Sequence, residues 1–176
     1  MKFGIKELCL NGMGIALFVV LSMCLRVPVF ENYYLCLGYI VMAVYSYSSI
    51  LNGTIIGTLG VFIYCLLING LRGMPGWVIG NIFIGIFLGL GFKMSKKIKN
   101  KLIKIIFISI FIVIGVLIGI LGIKSLVEMY LYSQPFILRL GNNIYAFIAD
   151  IFILFISIPI SLFLGPILNK FRRDDK

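Results

Sequence analysis

The stretch Leu102-Ile-Lys-Ile-Ile-Phe-Ile-Ser-Ile-Phe-Ile-Val-Ile-Gly-Val-Leu-Ile-Gly-Ile-Leu-Gly-Ile123 decides the fold. One lysine near its start is its only charge. As an α-helix it would extend about 33 Å, enough to cross a hydrocarbon core roughly 30 Å thick. Moving outward, five more segments have similar character: Leu8–Leu25, Leu35–Leu51, Gly53–Leu71, Trp77–Phe92 and Ile144–Leu168. Arg26 and Pro28 end the first, and Arg72-Gly73-Met74-Pro75-Gly76 is a strong turn signal after the third. The short junction at Asn52-Gly53 predicts an antiparallel hairpin of helices. The expected architecture is an all-α membrane protein, one compact bundle of six transmembrane helices spanning residues 1–176.

Composition agrees. The chain has 176 residues, 61% hydrophobic and 12% charged, against about 45–50% and about 25% in soluble domains. Histidine is absent, and the acids are Glu7, Glu31, Glu128, Asp150, Asp174 and Asp175. This argues against metal binding and most acid–base catalysis, which draw on His, Asp and Glu. Neither a resident cofactor nor a catalytic residue is expected. Cys9, Cys24, Cys36 and Cys65 form no CxxC pair and read as small hydrophobes. A Cys24–Cys36 bridge stays open. Lys2 and Lys6 precede an apolar run that lacks a cleavage site, so Met1 to Leu10 reads as the start of a retained helix.

Charge placement orients the bundle. Twelve of the sixteen basic residues lie before the first segment, between the fourth and fifth (Lys93, Lys96, Lys97, Lys99, Lys101, Lys104) and after the sixth (Lys170, Arg172, Arg173, Lys176). Six spans put these regions on one side, which the positive-inside rule makes cytoplasmic. Both termini are therefore expected inside. Arg26, Arg72, Lys124 and Arg139 fall on the other side. The net charge of +10 then reflects topology and attraction to the lipid surface, not nucleic acid.

Nineteen glycines include the small-xxx-small pairs Gly12/Ala16, Gly53/Gly57, Gly76/Gly80, Gly85/Gly89 and Gly115/Gly119. Such spacing lets helices approach closely in lipid. Most should serve internal contacts. Gly12 and Ala16, on an otherwise smoothly apolar helix, are the candidates for a partner-docking face.

Polar residues gather on the expected outer side. Asp150 shares a helix face with Asn143, Ala146, Ser157 and Ser161. An ionisable group inside a span is a functional candidate. The competing reading has Asp150 satisfied by Arg139, Arg72 or helix ends. Trp77 and Asn81 are one turn apart, and Asn69 and Arg72 face the same turn. Tyr33 and Tyr34 lie in an aromatic loop after the first segment. Gln134, Asn142 and Asn143 lie in or after the loop from Glu128 to Arg139. Tyr39, Tyr45 and Tyr47 read as packing or interface residues. Aromatic walls with a few placed polar groups describe a small-molecule pocket, here one that captures a solute from outside.

At these residues the chain resembles the substrate-binding S component of an energy-coupling factor (ECF) transporter. The resemblance spans nearly the whole length. It rests on Gly12-Met-Gly-Ile-Ala16, where the family has Ala-x-x-x-Ala, and on Arg26-Val-Pro-Val-Phe. It continues through Leu37-Gly38-Tyr39-Ile40-Val41-Met42 and Leu71-Arg72-Gly73-Met74-Pro75-Gly76-Trp77-Val78-Ile79-Gly80-Asn81. Trp77-Val78-Ile79 resembles the riboflavin-type branch. The resemblance implies a non-catalytic subunit of a bacterial plasma membrane. It implies partnership with a transmembrane coupling subunit and two cytoplasmic ATPases, which fits the absence of a GxxxxGK[ST] motif. It implies a vitamin-like ligand held by Tyr33, Tyr34, Trp77, Asn81, Asn142, Asn143 and Asp150. It also assigns Gly12 and Ala16 to partner contact. Riboflavin, thiamine-like, pyridoxine-like and folate-like ligands stay open. The alternative is an autonomous small transporter or channel subunit with Asp150 as an ion or proton site. A thiol oxidoreductase and a ligand-free structural subunit fit the residues less well.

Overall fold

The computed structural model describes residues 4–25, 27–30, 33–69 and 75–173, without the side chains of residues 29, 30, 33, 69 and 173. Helix α1 runs Ile5–Cys24. A hairpin follows, β1 (Val27–Phe30) pairing antiparallel with β2 (Tyr33–Leu35), with a bulge between Pro28 and Phe30. Then come α2 (Gly38–Ser48), α3 (Ile50–Asn69), α4 (Pro75–Ser95) and α5 (Lys101–Val116). A π-helical segment, Leu117–Lys124, joins α5 to α6 (Ser125–Tyr132), and α7 runs Phe136–Arg173. Five helices are long and apolar enough to cross a membrane. The fold is an all-α membrane bundle.

The second expected span is the exception. Helix α2 has only 11 residues, about 16 Å of rise, well short of a bilayer core. It is buried on almost every side, by Gly38, Tyr39, Val41, Met42, Ala43, Tyr45 and Ser46. A helix that is apolar all round belongs inside a bundle, and α1, α3, α4 and α7 enclose this one. The turn after it falls at Ser49, which is extended (φ −155°, ψ 136°). Asn52 and Gly53, the expected turn, lie inside α3 instead. A side chain at Gly53 would strike Ser46, so this glycine serves close packing.

The expected loop from Glu128 to Arg139 is also mostly helix. Residues Lys101–Tyr132 run as one 32-residue rod. The chain reverses at Ser133, in the left-handed region at φ 51°, and α7 starts at Phe136 instead of Ile144. The buried stripe on the rod steps by four residues: Ile108, Ile112, Val116, Ile120, Lys124, Glu128. In a regular α-helix each such step overshoots a full turn by about 40°. The stripe would wind around to the lipid side. The wider π turn cancels part of that drift and carries Lys124 and Glu128 inward.

Four of the five small-xxx-small pairs form internal contacts. The closest approach to a neighbouring backbone is between α4 and the π segment: a Cβ on Gly119 would lie 2.6 Å from the Gly80 carbonyl oxygen, and one on Gly76 would lie 2.9 Å from that of Lys124. The fifth pair differs. Gly12 and Ala16 are exposed, and a Cβ on Gly12 would meet nothing within 4 Å.

The two ends of the bundle differ chemically. At one end Arg172 bonds Glu7 (2.7 Å) and the Ser48 carbonyl (3.2 Å), and Lys96 lies 5.0 Å from the Tyr47 ring centre. This gathers the start of α1, the end of α2, the α4–α5 turn and the end of α7, the regions that carry most of the basic residues. The hairpin, α6 and the start of α7 lie at the opposite end.

Gly80→Ala and Gly12→Ala should shift thermal stability in opposite directions. Alanine at Gly80 collides with backbone and should cost about 1–3 kcal/mol. At Gly12 it meets open space and should gain up to about 1 kcal/mol of helix propensity. Thermal melts of the detergent-solubilised chain test this, and equal shifts would contradict the close α4–π contact.

Candidate functional site

Two groups of buried polar residues form one column on α2, α4, α7 and the π–α6 rod. At its lower end is Tyr39, fully buried on α2. Its hydroxyl donates to Asp150 Oδ2 at 3.1 Å and accepts from Trp77 Nε1 at 3.0 Å. Trp77 also packs edge-on against Tyr64, with ring centroids 5.9 Å apart. Asn81, one turn along α4, donates through Nδ2 to the Trp77 carbonyl at 2.9 Å. Its Oδ1 is buried and finds no hydrogen-bond partner among the described residues. Such an orphaned acceptor costs about 1–3 kcal/mol.

The upper end is ionic. Glu128 lies 3.9 Å from Lys124 Nζ and 3.9 Å from Arg139 Nη1. Asn143 Nδ2 donates to Ser125 Oγ at 2.9 Å and to Glu128 Oε2 at 3.1 Å. Arg139 also stacks over the Tyr132 ring at 4.5 Å. Lys124, Glu128, Asn143 and Asp150 are each at most 5% exposed. Two cations and two carboxylates meet in this column, so their formal charges cancel.

Of the residues expected in a pocket, the structure brings Trp77, Asn81, Asn143 and Asp150 into the column. The face Asn143, Asp150, Ser157, Ser161 is buried as the helical spacing predicted. Tyr34 is about half exposed, at 47%, on β2. Gln134 and Asn142 are exposed, Gln134 beside the reversal and Asn142 on the side of α7 away from buried Asn143. Arg72 and the side chains of Tyr33 and Asn69 lie outside the described residues. Arg139, one expected partner of Asp150, approaches Glu128 instead, and Tyr39 takes that role. Cys24 and Cys36 are both free, Cys24 exposed and Cys36 buried with Sγ 3.3 Å from Ser22 Oγ.

Tyr39, Lys124, Ser125 and Glu128 were not legible as site residues. Tyr39 read as packing, and Lys124 and Glu128 as surface charges of an outer loop. The available signal was the i, i+4 spacing of Lys124 and Glu128 in register with the apolar stripe from Ile108. The column can orient a polar ligand by hydrogen bonding and offers an aromatic face at Trp77.

Glu128→Gln keeps the shape but leaves Lys124 and Arg139 without their carboxylate. Removing one partner of a buried ion pair costs about 3–5 kcal/mol, so the melting temperature should fall clearly. The pair replacement Lys124→Met with Glu128→Leu should recover only part of the loss, because Arg139 still lacks its carboxylate. A Glu128→Gln protein that melts like the parent would contradict the network.

The chain was compared with known proteins. No curated protein matches it. The family model of the ECF-type riboflavin transporter S component matches residues 2–167, nearly the full length and every element of the polar column. The chain therefore belongs to the ECF-type riboflavin transporter S component family.

Proposed function

We propose that the chain captures a flat, polar, vitamin-like molecule, riboflavin-type before others, at the outer end of the bundle. It then hands the molecule inward with a transmembrane coupling subunit and two cytoplasmic ATPases. The observation that carries this reading is Asn81. An amide within an apolar helix, wholly buried, holds one oxygen without a partner among the described residues, one turn from Trp77. A ligand N–H would satisfy that oxygen while its ring lies against the indole, the combination of aromatic wall and placed polar group typical of ligand sites. Tyr39 and Asp150 hold the indole in place from behind. The hairpin with Tyr33 and Tyr34, together with Asn69, Arg72, Gln134 and Asn142, would form the rim of the same site.

The basic end faces the cytoplasm in this reading, with both termini inside, as the positive-inside rule requires. Docking to the coupling subunit uses α1. Gly12 and Ala16 are exposed and uncovered, while the other small-xxx-small pairs are consumed by internal contacts. Their flanks, Leu8, Met13 and Val20, are exposed as well. A partner helix could therefore approach this strip closely. An autonomous carrier would have to move ions through Asp150, yet that carboxylate is engaged by Tyr39 within the packed column.

Two experiments test the reading. Trp77 is the only tryptophan, so riboflavin titration should quench its fluorescence, and Asn81→Ala should weaken binding about tenfold or more, the loss of one buried hydrogen bond. If neither riboflavin nor a panel of related vitamins changes the emission or the melting temperature, the capture site is wrong. Separately, Gly12→Leu with Ala16→Leu should abolish co-purification with the coupling subunit and ATPases while ligand affinity stays within about twofold of the parent. Intact assembly would move the docking face elsewhere.

A further inference from the structure

Helix α5 carries a feature that neither the polar column nor the docking strip uses. A shallow groove of about 350 Å³ runs along its outward side, lined by Ile105, Ile106, Ser109, Ile110, Val113 and Ile114. These residues form two adjacent rows at i, i+4 spacing. One turn further toward the helix start the rows continue into Lys101 and Leu102, both exposed. Exposed Lys97 and Lys99 precede them in the α4–α5 turn. No acidic residue occurs anywhere between Lys93 and Lys124. The groove is almost wholly apolar and its mouth is strongly cationic.

We propose that this strip seats one anionic phospholipid, with an acyl chain along the groove and the phosphate at Lys97, Lys99 and Lys101. Dimensions agree. From Lys101 to Ile114 the helix rises about 20 Å, close to one leaflet's half of a roughly 30 Å core plus its headgroup. Charge also agrees. Lysine at the start of a helix opposes the positive end of the helix dipole, and an anion there relieves both. Three lysines in a sequence stretch without a carboxylate select a net negative headgroup over a zwitterionic one. The lysines anchor the helix to the leaflet at the basic end, whatever occupies the column above.

Native mass spectrometry of the full chain in detergent tests this, with phosphatidylglycerol and phosphatidylcholine of identical acyl chains added at equal concentration. Phosphatidylglycerol should be retained about tenfold over phosphatidylcholine. Lys97→Gln, Lys99→Gln and Lys101→Gln should each reduce that preference up to about fivefold, the factor for one basic side chain at an anionic surface. Ile110→Trp, which fills the groove, should lower phosphatidylglycerol retention with all lysines in place. Glycerol 3-phosphate, the headgroup chemistry without acyl chains, should fail to compete. Equal retention of the two lipids, or an unchanged preference in the triple lysine variant, overturns the proposal. So does unaltered binding in Ile110→Trp, or competition by glycerol 3-phosphate.

Discussion

The interior depends on the backbone contact between α4 and the π segment, where Gly80 and Gly119 leave no room for a side chain on either helix. Apolar side chains gain little from meeting each other in lipid, since the tails are equally apolar. Close backbone packing must then hold helices together. Here that packing sets positions as well as cohesion. With Gly80 against Gly119 and Gly76 against the Lys124 carbonyl, the first turns of α4 lie beside the stretch that carries Lys124 and Ser125. Trp77 and Asn81 flank Gly80 in sequence. The glycines therefore bring the amide and the indole of α4 to the level of the buried ions.

The same geometry explains how Lys124, Glu128 and Asp150 are tolerated away from water, with partly exposed Arg139 at the edge. An isolated ionised side chain in an apolar medium is very costly, and single buried pairs often do no better than apolar replacements. The column meets this by connection. Glu128 sits between Lys124 and Arg139 and also accepts from Asn143, while Asp150 accepts from Tyr39. Each carboxylate has a hydrogen-bond donor besides its electrostatic neighbours. Several buried polar atoms depart from this economy among the described residues, Arg139 Nε and Ser161 Oγ included, and Asn81 Oδ1 is the one that lies a turn from Trp77. Under the proposed function, a ligand would supply the hydrogen bond that this oxygen lacks.

Much of the architecture was legible because it rests on averages over long segments. Apolar runs, lysine placement and the i, i+4 spacing of Asn143, Asp150, Ser157 and Ser161 gave the membrane bundle and the inward face of α7. What escaped depends on a few residues and on contacts distant in sequence. Helix α2 reads as a span by composition, but its 11 residues end where Ser49 turns extended, and no local signal marks that residue. Tyr39 looks like packing until α7 places Asp150 against it, 111 residues away. Lys124 and Glu128 look like loop charges because the π turn that redirects them is not encoded by any single residue type. Trp77 and Asn81 were legible since an amide and an indole inside an apolar helix are conspicuous alone.

Under the proposed function, the distribution of polar atoms also bears on how the bundle could move relative to the bilayer. If the column carried a net charge, any motion relative to the membrane would meet a large electrostatic barrier. With two cations and two carboxylates its formal charge is zero, and the exposed faces of α1 and α5 are apolar over most of their length. Among the described residues the unbalanced charge lies at the basic end, where headgroups and water can solvate it. Under the proposed function, ligand recognition and mobility therefore make compatible demands on this sequence. Both are met by keeping ions paired in the centre, glycines at the internal crossings, and one smooth small-residue strip on α1 uncovered.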